Sequence, residues 1–73
     1  MEFFGPQMFL KLKDDLKAIS PFNWDKWGAI GLARTKDAAK AKAVQMAQKH
    51  DLPPSELEAI VALIDGRDDF WPS

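Results

Sequence analysis

Apolar residues recur along this chain at helical intervals, and nowhere do they alternate over a useful length as a strand would require. Phe9, Leu12, Leu16 and Ile19 fall three or four residues apart, which puts them on one face of a helix running from about Pro6 to Ile19. Lys11, Asp14, Asp15 and Lys17 then occupy the other side. Pro21 disfavours helical geometry at Ser20, so this helix should stop there. Ser20 or Asn23 can cap a second helix in which Trp24 and Trp27 share a face. Gly28 and Gly31 each weaken that helix by roughly 1 kcal/mol relative to Ala, and each lets another backbone approach closely.

Thr35, followed by Lys36 and Asp37, reads as a new cap. The expectation is therefore a break or kink near Arg34-Thr35, in preference to one continuous helix from Trp24 to His50. Residues 36–50 are rich in Ala, with Val44 and Met46, so their helix propensity is high and their apolar face thin. In the last segment Ser55 and Glu58 have capping-box spacing, Leu57, Ile60, Val61 and Ile64 form the inward face, and Gly66 can terminate the helix. These elements define an all-α protein, a small bundle of three or four helices with aromatic-containing arms at its two ends. The expected organisation is a single helical domain over residues 1–73, with an N-terminal arm at 1–6 and an acidic-aromatic tail at 67–73.

The aromatic residues sharpen this picture, because none falls between Gly28 and Asp69. Phe3, Phe4, Phe9, Phe22, Trp24 and Trp27 crowd the first third, and Phe70 and Trp71 lie near the other end. A 73-residue chain buries only about 60% of its unfolded surface and is marginal without help. With no Cys there is no disulfide to supply that help, nor the usual zinc framework or a cysteine nucleophile. Oligomerisation or docking to a partner is the remaining stabiliser. The longest apolar run, Trp27 to Ala33, is far shorter than the roughly 20 residues a membrane span needs. The acidic Met1-Glu2 start and the charges that follow do not resemble a signal peptide, so the expected location is cytoplasmic.

Catalysis has little material here. His50 is the only histidine, and Asp51 beside it points elsewhere on any regular helix. Its placement near a helix C-terminus suits an imidazolium facing the helix dipole. Asp65, Asp68 and Asp69 surround Gly66 in the wrong order for a calcium loop, and no Gly-rich phosphate cradle exists. No enzyme activity, metal or cofactor is expected.

Charge separates by region even though the net charge is only −1. Residues 36–50 carry four Lys against one Asp, while residues 51–73 carry six acids against Arg67, so the two regions can pair within the molecule. A direct nucleic-acid contact through the Lys-rich helix 36–50 is the alternative. It is disfavoured because Lys36 and Lys40 lie nearly opposite Lys42 and Lys49 on a helix and form no single stripe.

The two ends hold the candidate functional residues. Phe70 and Trp71 follow Asp68 and Asp69, and Pro72 blocks helix continuation. Such a tail can insert its rings into a partner's apolar pocket while the acids meet a basic rim. It can equally fold back on Trp24, Trp27 and the first helix, and a core this small can hardly spare the aromatics, which favours that second fate. Phe3 and Phe4 pose the same choice. The functional expectation is a non-catalytic protein-binding or regulatory domain, possible as a homo-oligomer or a subunit of an assembly. Phe3, Phe4, Phe70 and Trp71 are its anchors, Asp68 and Asp69 its charged rim, and Trp24 and Trp27 the platform beneath.

A family resemblance supplies the other regulatory reading. Leu32, Arg34, Val44, Lys49, Leu52, Glu56, Leu57, Asp65 and Arg67 fall, without gaps, at matching positions over half the chain. In these it resembles the Hha/YmoA modulators, small helical bacterial proteins that act with the nucleoid protein H-NS. The N-terminal part is longer here, and the family's C-terminal helix has no counterpart. The resemblance implies a transcription or nucleoid modulator that works through a protein partner, with Asp65 and Arg67 as partner-facing charges.

Overall fold

Among the described residues, four helices and one 3-10 turn of helix form in the order the apolar spacing predicts. The structure is a computed structural model that describes the backbone of residues 6–71 and the side chains of residues 11–71. Phe3 and Phe4, with most of the expected arm, and the side chain of Phe9 lie outside the described residues.

The first helix, α1, spans Pro6–Ile19. Pro suits a helix's first position, where its missing N–H is not needed. The helix turns Leu12 and Leu16 into the core and leaves Ile19 half-buried. Its last bond runs from the Ser20 N–H to the Leu16 carbonyl at 2.8 Å, after which Pro21 turns the chain as expected. A single helical turn, α2 (Trp24–Trp27), follows and passes directly into a 3-10 helix at Gly28–Leu32. Two glycines within four residues leave too little side-chain packing to hold the wider helix, and the tighter winding takes over.

The expected break is present at its expected place. Ala33 and Thr35 are extended, and the Thr35 Oγ1 accepts from the Ala38 N–H at 3.1 Å to cap α3 (Lys36–His50). At the far end of α3, Asp51 adopts a left-handed conformation, φ 53°, and the Leu52 N–H returns to the Ala47 carbonyl at 2.9 Å. The turn tucks Leu52 into the core, as the hydrophobic residue following such a cap commonly does.

The final helix, α4, spans Pro54–Gly66 and departs from expectation at both ends. Ser55 is not a cap: Pro53 and Pro54 set the start two residues earlier, and the Pro53 carbonyl accepts from the Glu56 and Leu57 N–H groups at 3.1 Å. The capping box of Ser55 and Glu58 therefore does not form, and Glu56 of the first turn is used elsewhere. Gly66 is the last helical residue without a positive φ, and Arg67 closes the helix through its N–H to the Ile64 carbonyl at 3.2 Å.

One core gathers all of these elements. Leu12 and Leu16 from α1, Trp27 from α2, Ile30 from the 3-10 helix, Ala39 and Ala43 from α3, and Ile60 and Ile64 from α4 are buried together with Phe70 and Trp71. The small alanines of α3 let it sit close to α4 and to the 3-10 helix. Gly31 serves the same end, since a Cβ there would meet Leu12 Cδ2 at 3.1 Å. The close neighbour is therefore a side chain and not a backbone, and a Cβ on Gly28 would meet nothing within 4 Å.

Candidate functional site

The tail folds home. Phe70 and Trp71 are 1% and 0% exposed, and their rings sit 4.6 Å apart at a tilt of 56°. The Trp71 indole N–H donates to the Ile30 carbonyl at 3.2 Å, which satisfies its one polar atom inside the core. Both residues also donate backbone N–H groups to the Arg67 carbonyl, at 3.2 and 3.0 Å, so a tight turn after α4 swings the rings inward. The expected anchors Phe70 and Trp71 are thus core residues in this fold, because the Ala-rich α3 leaves a volume that only bulky rings fill. Trp27 lies in the same buried cluster, and Trp24, the other half of the expected platform, is only half-buried.

The acids around that turn are engaged within the molecule. Asp68 pairs with Lys36, whose ammonium also donates to the Asp65 carbonyl at 2.9 Å. The Asp65 carboxylate pairs with Lys40 and raises the pKa of that lysine. Arg67 donates to Asp69 at 2.9 Å and to Asp15 on α1. Its hydrogen bond holds the Asp69 carboxyl below its ordinary value. The rim acids Asp68 and Asp69, and the Asp65 and Arg67 of the family resemblance, therefore face cations or anions of their own chain. These same pairs occupy Lys36 and Lys40, half of the basic helix on which direct nucleic-acid binding would rest.

A second polar centre ties the other end of the fold together. Glu56 Oε1 accepts from three side chains: Ser20 Oγ at 2.7 Å, the Trp27 indole N–H at 3.0 Å and Asn23 Nδ2 at 3.3 Å. Ser20 is fully buried, and its Oγ also accepts from the Asn23 N–H at 3.2 Å. The bond from Trp27, then that from Ser20, then that from Asn23 lower the Glu56 pKa against the opposing effect of burial. A carboxylate so supplied with donors is a weak base, and this one works as a clamp that joins α4 to the turn at residues 20–23. Sequence reasoning missed Glu56; three donor side chains from distant positions carry no local signal.

On that clamped turn stands Phe22, 90% exposed. Two residues on, the half-buried Trp24 ring lies under two ammonium groups of α1, Lys17 at 4.9 Å and Lys13 at 5.3 Å from its centroid. Lys13 and Lys17 are one helical turn apart and share a flank of α1, while Asp15 faces Arg67 from another. Among the described residues neither lysine has a carboxylate within ion-pair distance. Among the described residues Leu32, 79% exposed, and Val44 are the other exposed large apolar side chains. The sequence did carry a sign of Phe22's position: it follows Pro21 between two helices and belongs to neither apolar face.

His50 ends α3 in an exposed position. Among the described residues no three His, Cys, Asp or Glu side chains group as metal ligands, and no helix is long and apolar enough to cross a membrane. Compared with known proteins, the chain matches no family model, no curated protein and no solved structure.

Proposed function

We propose that this chain is a small non-catalytic protein-binding module that engages its partner through the turn between α1 and α2, with Phe22 as the anchor. The observation that carries the reading is Phe22 itself, a large aromatic ring left 90% exposed on a turn whose two sides are fastened by Ser20 and Asn23 to Glu56. Contact rings on pre-ordered backbone lose little conformational freedom when a partner closes over them, so more of the contact energy remains as affinity. The tail aromatics support the same assignment by contrast: the fold buries Phe70 and Trp71 and leaves Phe22 out.

The test is position-selective photo-crosslinking. The photoreactive analogue benzoylphenylalanine replaces Phe22 in one variant and the exposed Gln45 of α3 in another, and both are irradiated in cells of the source organism. Position 22 should yield a discrete protein adduct that position 45 does not. Equal adducts at both positions, or none at 22, would remove the turn as the binding surface.

A further inference from the structure

We infer that the partner docking on the Phe22 turn is an acidic peptide segment, an apolar residue of which covers Phe22 while its carboxylates meet Lys13 and Lys17. This deepens the protein-binding reading above and rests on it. The argument is one of charge left over. Of the lysines and arginines in the described structure, Lys36, Lys40 and Arg67 are each matched by a carboxylate of the same chain, while Lys11, Lys26, Arg34, Lys42 and Lys49 stand apart from any ring or ion pair. Lys13 and Lys17 instead converge on one indole, at 5.3 and 4.9 Å, with no carboxylate beside them among the described residues.

An exposed cation over an aromatic ring is held weakly and keeps its full charge, so two of them over Trp24 leave a cationic field beside it. Both ammonium groups sit over the same half-buried ring, which gives the field a definite place on the surface. Phe22 lies two residues from that ring along a clamped turn. The nearest acids in sequence are Asp14 and Asp15 on α1 and Asp25 after Trp24; Asp15 is taken by Arg67, and Asp14 and Asp25 are exposed. Asp14 is one helical turn from Lys17, yet among the described residues neither it nor Asp25 lies within ion-pair distance of Lys13 or Lys17. A partner that combines an apolar residue with carboxylates complements this pairing of ring and cations, whereas a basic one is repelled.

The experiment is selection from a phage library of random peptides on the full chain, with counter-selection on the Phe22→Ser variant so that only Phe22-dependent binders survive. The surviving peptides should be enriched in Asp and Glu around a Leu, Ile or aromatic residue. For a synthetic peptide of the most enriched sequence, the Lys13→Gln, Lys17→Gln double variant should bind at least about tenfold more weakly. The Lys42→Gln, Lys49→Gln variant should bind it as the parent does. Circular dichroism and thermal melting should show both variants folded.

Phe22-dependent peptides that are neutral or basic, or that ignore the loss of Lys13 and Lys17, overturn the acidic-partner inference and leave protein binding at Phe22 standing. Failure to recover any Phe22-dependent peptide overturns both. Tighter binding of a single-stranded oligothymidylate than of the peptide, lost in the Lys13→Gln, Lys17→Gln variant, would assign the surface to nucleic acid instead.

Discussion

Two pairs of aromatics, Phe22 with Trp24 after the first helix and Phe70 with Trp71 after the last, meet opposite fates. Each sits beside a proline and beside acids, and each follows the end of a helix. Phe70 and Trp71 are inside, and Phe22 is outside with Trp24 at the boundary. The difference lies in what the backbone does between helix and ring. After α4 the chain reverses at once, with the Phe70 and Trp71 N–H groups both on the Arg67 carbonyl, which aims the rings at the gap beside the alanines of α3. After α1 the chain is held by the Ser20 and Asn23 bonds to Glu56, and that geometry leaves Phe22 pointing away. Local composition is therefore a poor guide to whether an aromatic is core or contact, and the hydrogen bonds that steer the connecting turn decide it.

The severest way to break the comparison is to empty the buried side. Trp71→Ala should cost about 3–5 kcal/mol, since it removes a fully buried indole and leaves a cavity among Ile30, Ile60 and their neighbours. That is a large share of the roughly 5–10 kcal/mol available to a domain of this size. Urea denaturation should find the variant largely unfolded at room temperature, and deletion of residues 68–73 should do the same. A melting temperature within a few degrees of the parent would mean that the tail is not part of the core.

The clamp on the other side is the next largest effect. Ser20→Ala or Glu56→Gln should each destabilise by about 1–2 kcal/mol, because buried donors lose a charged acceptor or a buried acceptor is removed. The acid dependence carries a sign. The Glu56 carboxyl is held below its ordinary value near 4.5 in the folded state, so the unfolded chain binds a proton more readily. Its contribution is complete above that ordinary value and is lost as pH falls through the lower folded value. Glu56→Gln should flatten the fall in stability below about pH 4.5, leaving the smaller slope due to Asp69, whose pKa Arg67 also lowers. An unchanged acid profile would mean that the clamp does not hold in solution.

A third substitution separates burial from ion pairing in the tail. Lys36→Ala removes the partner of Asp68, whose side chain is 81% exposed, and an exposed pair of this kind contributes about 0–1 kcal/mol. The melting temperature should fall by only a few degrees and should differ less from the parent in high salt. A loss as large as that of Trp71→Ala would make charge, and not the rings, the agent that seats the tail.

Much of this architecture was readable from short-range signals. Pro21 stopped α1, Thr35 began α3, and the three- and four-residue spacing of Leu12, Leu16, Ile60 and Ile64 marked the inward faces, because each of these acts within a turn of helix. Where two local signals competed, as with Ser55 beside Pro53-Pro54, the stiffer residue set the boundary. The site was less legible. Whether Phe70 is core depends on how much space five alanines leave in α3, and whether Phe22 is exposed depends on a carboxylate more than thirty residues away. Those are tertiary facts, and for Phe22 the sequence offers only its place after Pro21, outside both apolar faces.

The mildest prediction for stability is the most telling for function. Phe22→Ser removes a ring that is 90% exposed, so the melting temperature should stay within about 0.5 kcal/mol's worth of change, as for other surface sites. The neighbouring Ser20, Asn23 and Glu56 bonds do not involve the Phe22 side chain and should survive, which amide exchange at Asn23 can report. A marked loss of stability would mean that Phe22 packs against its own chain in solution, and the contrast between the two aromatic pairs would vanish. Unchanged stability with lost partner binding is the expected pairing, because a ring that contributes nothing to the fold has its contact energy free for another molecule.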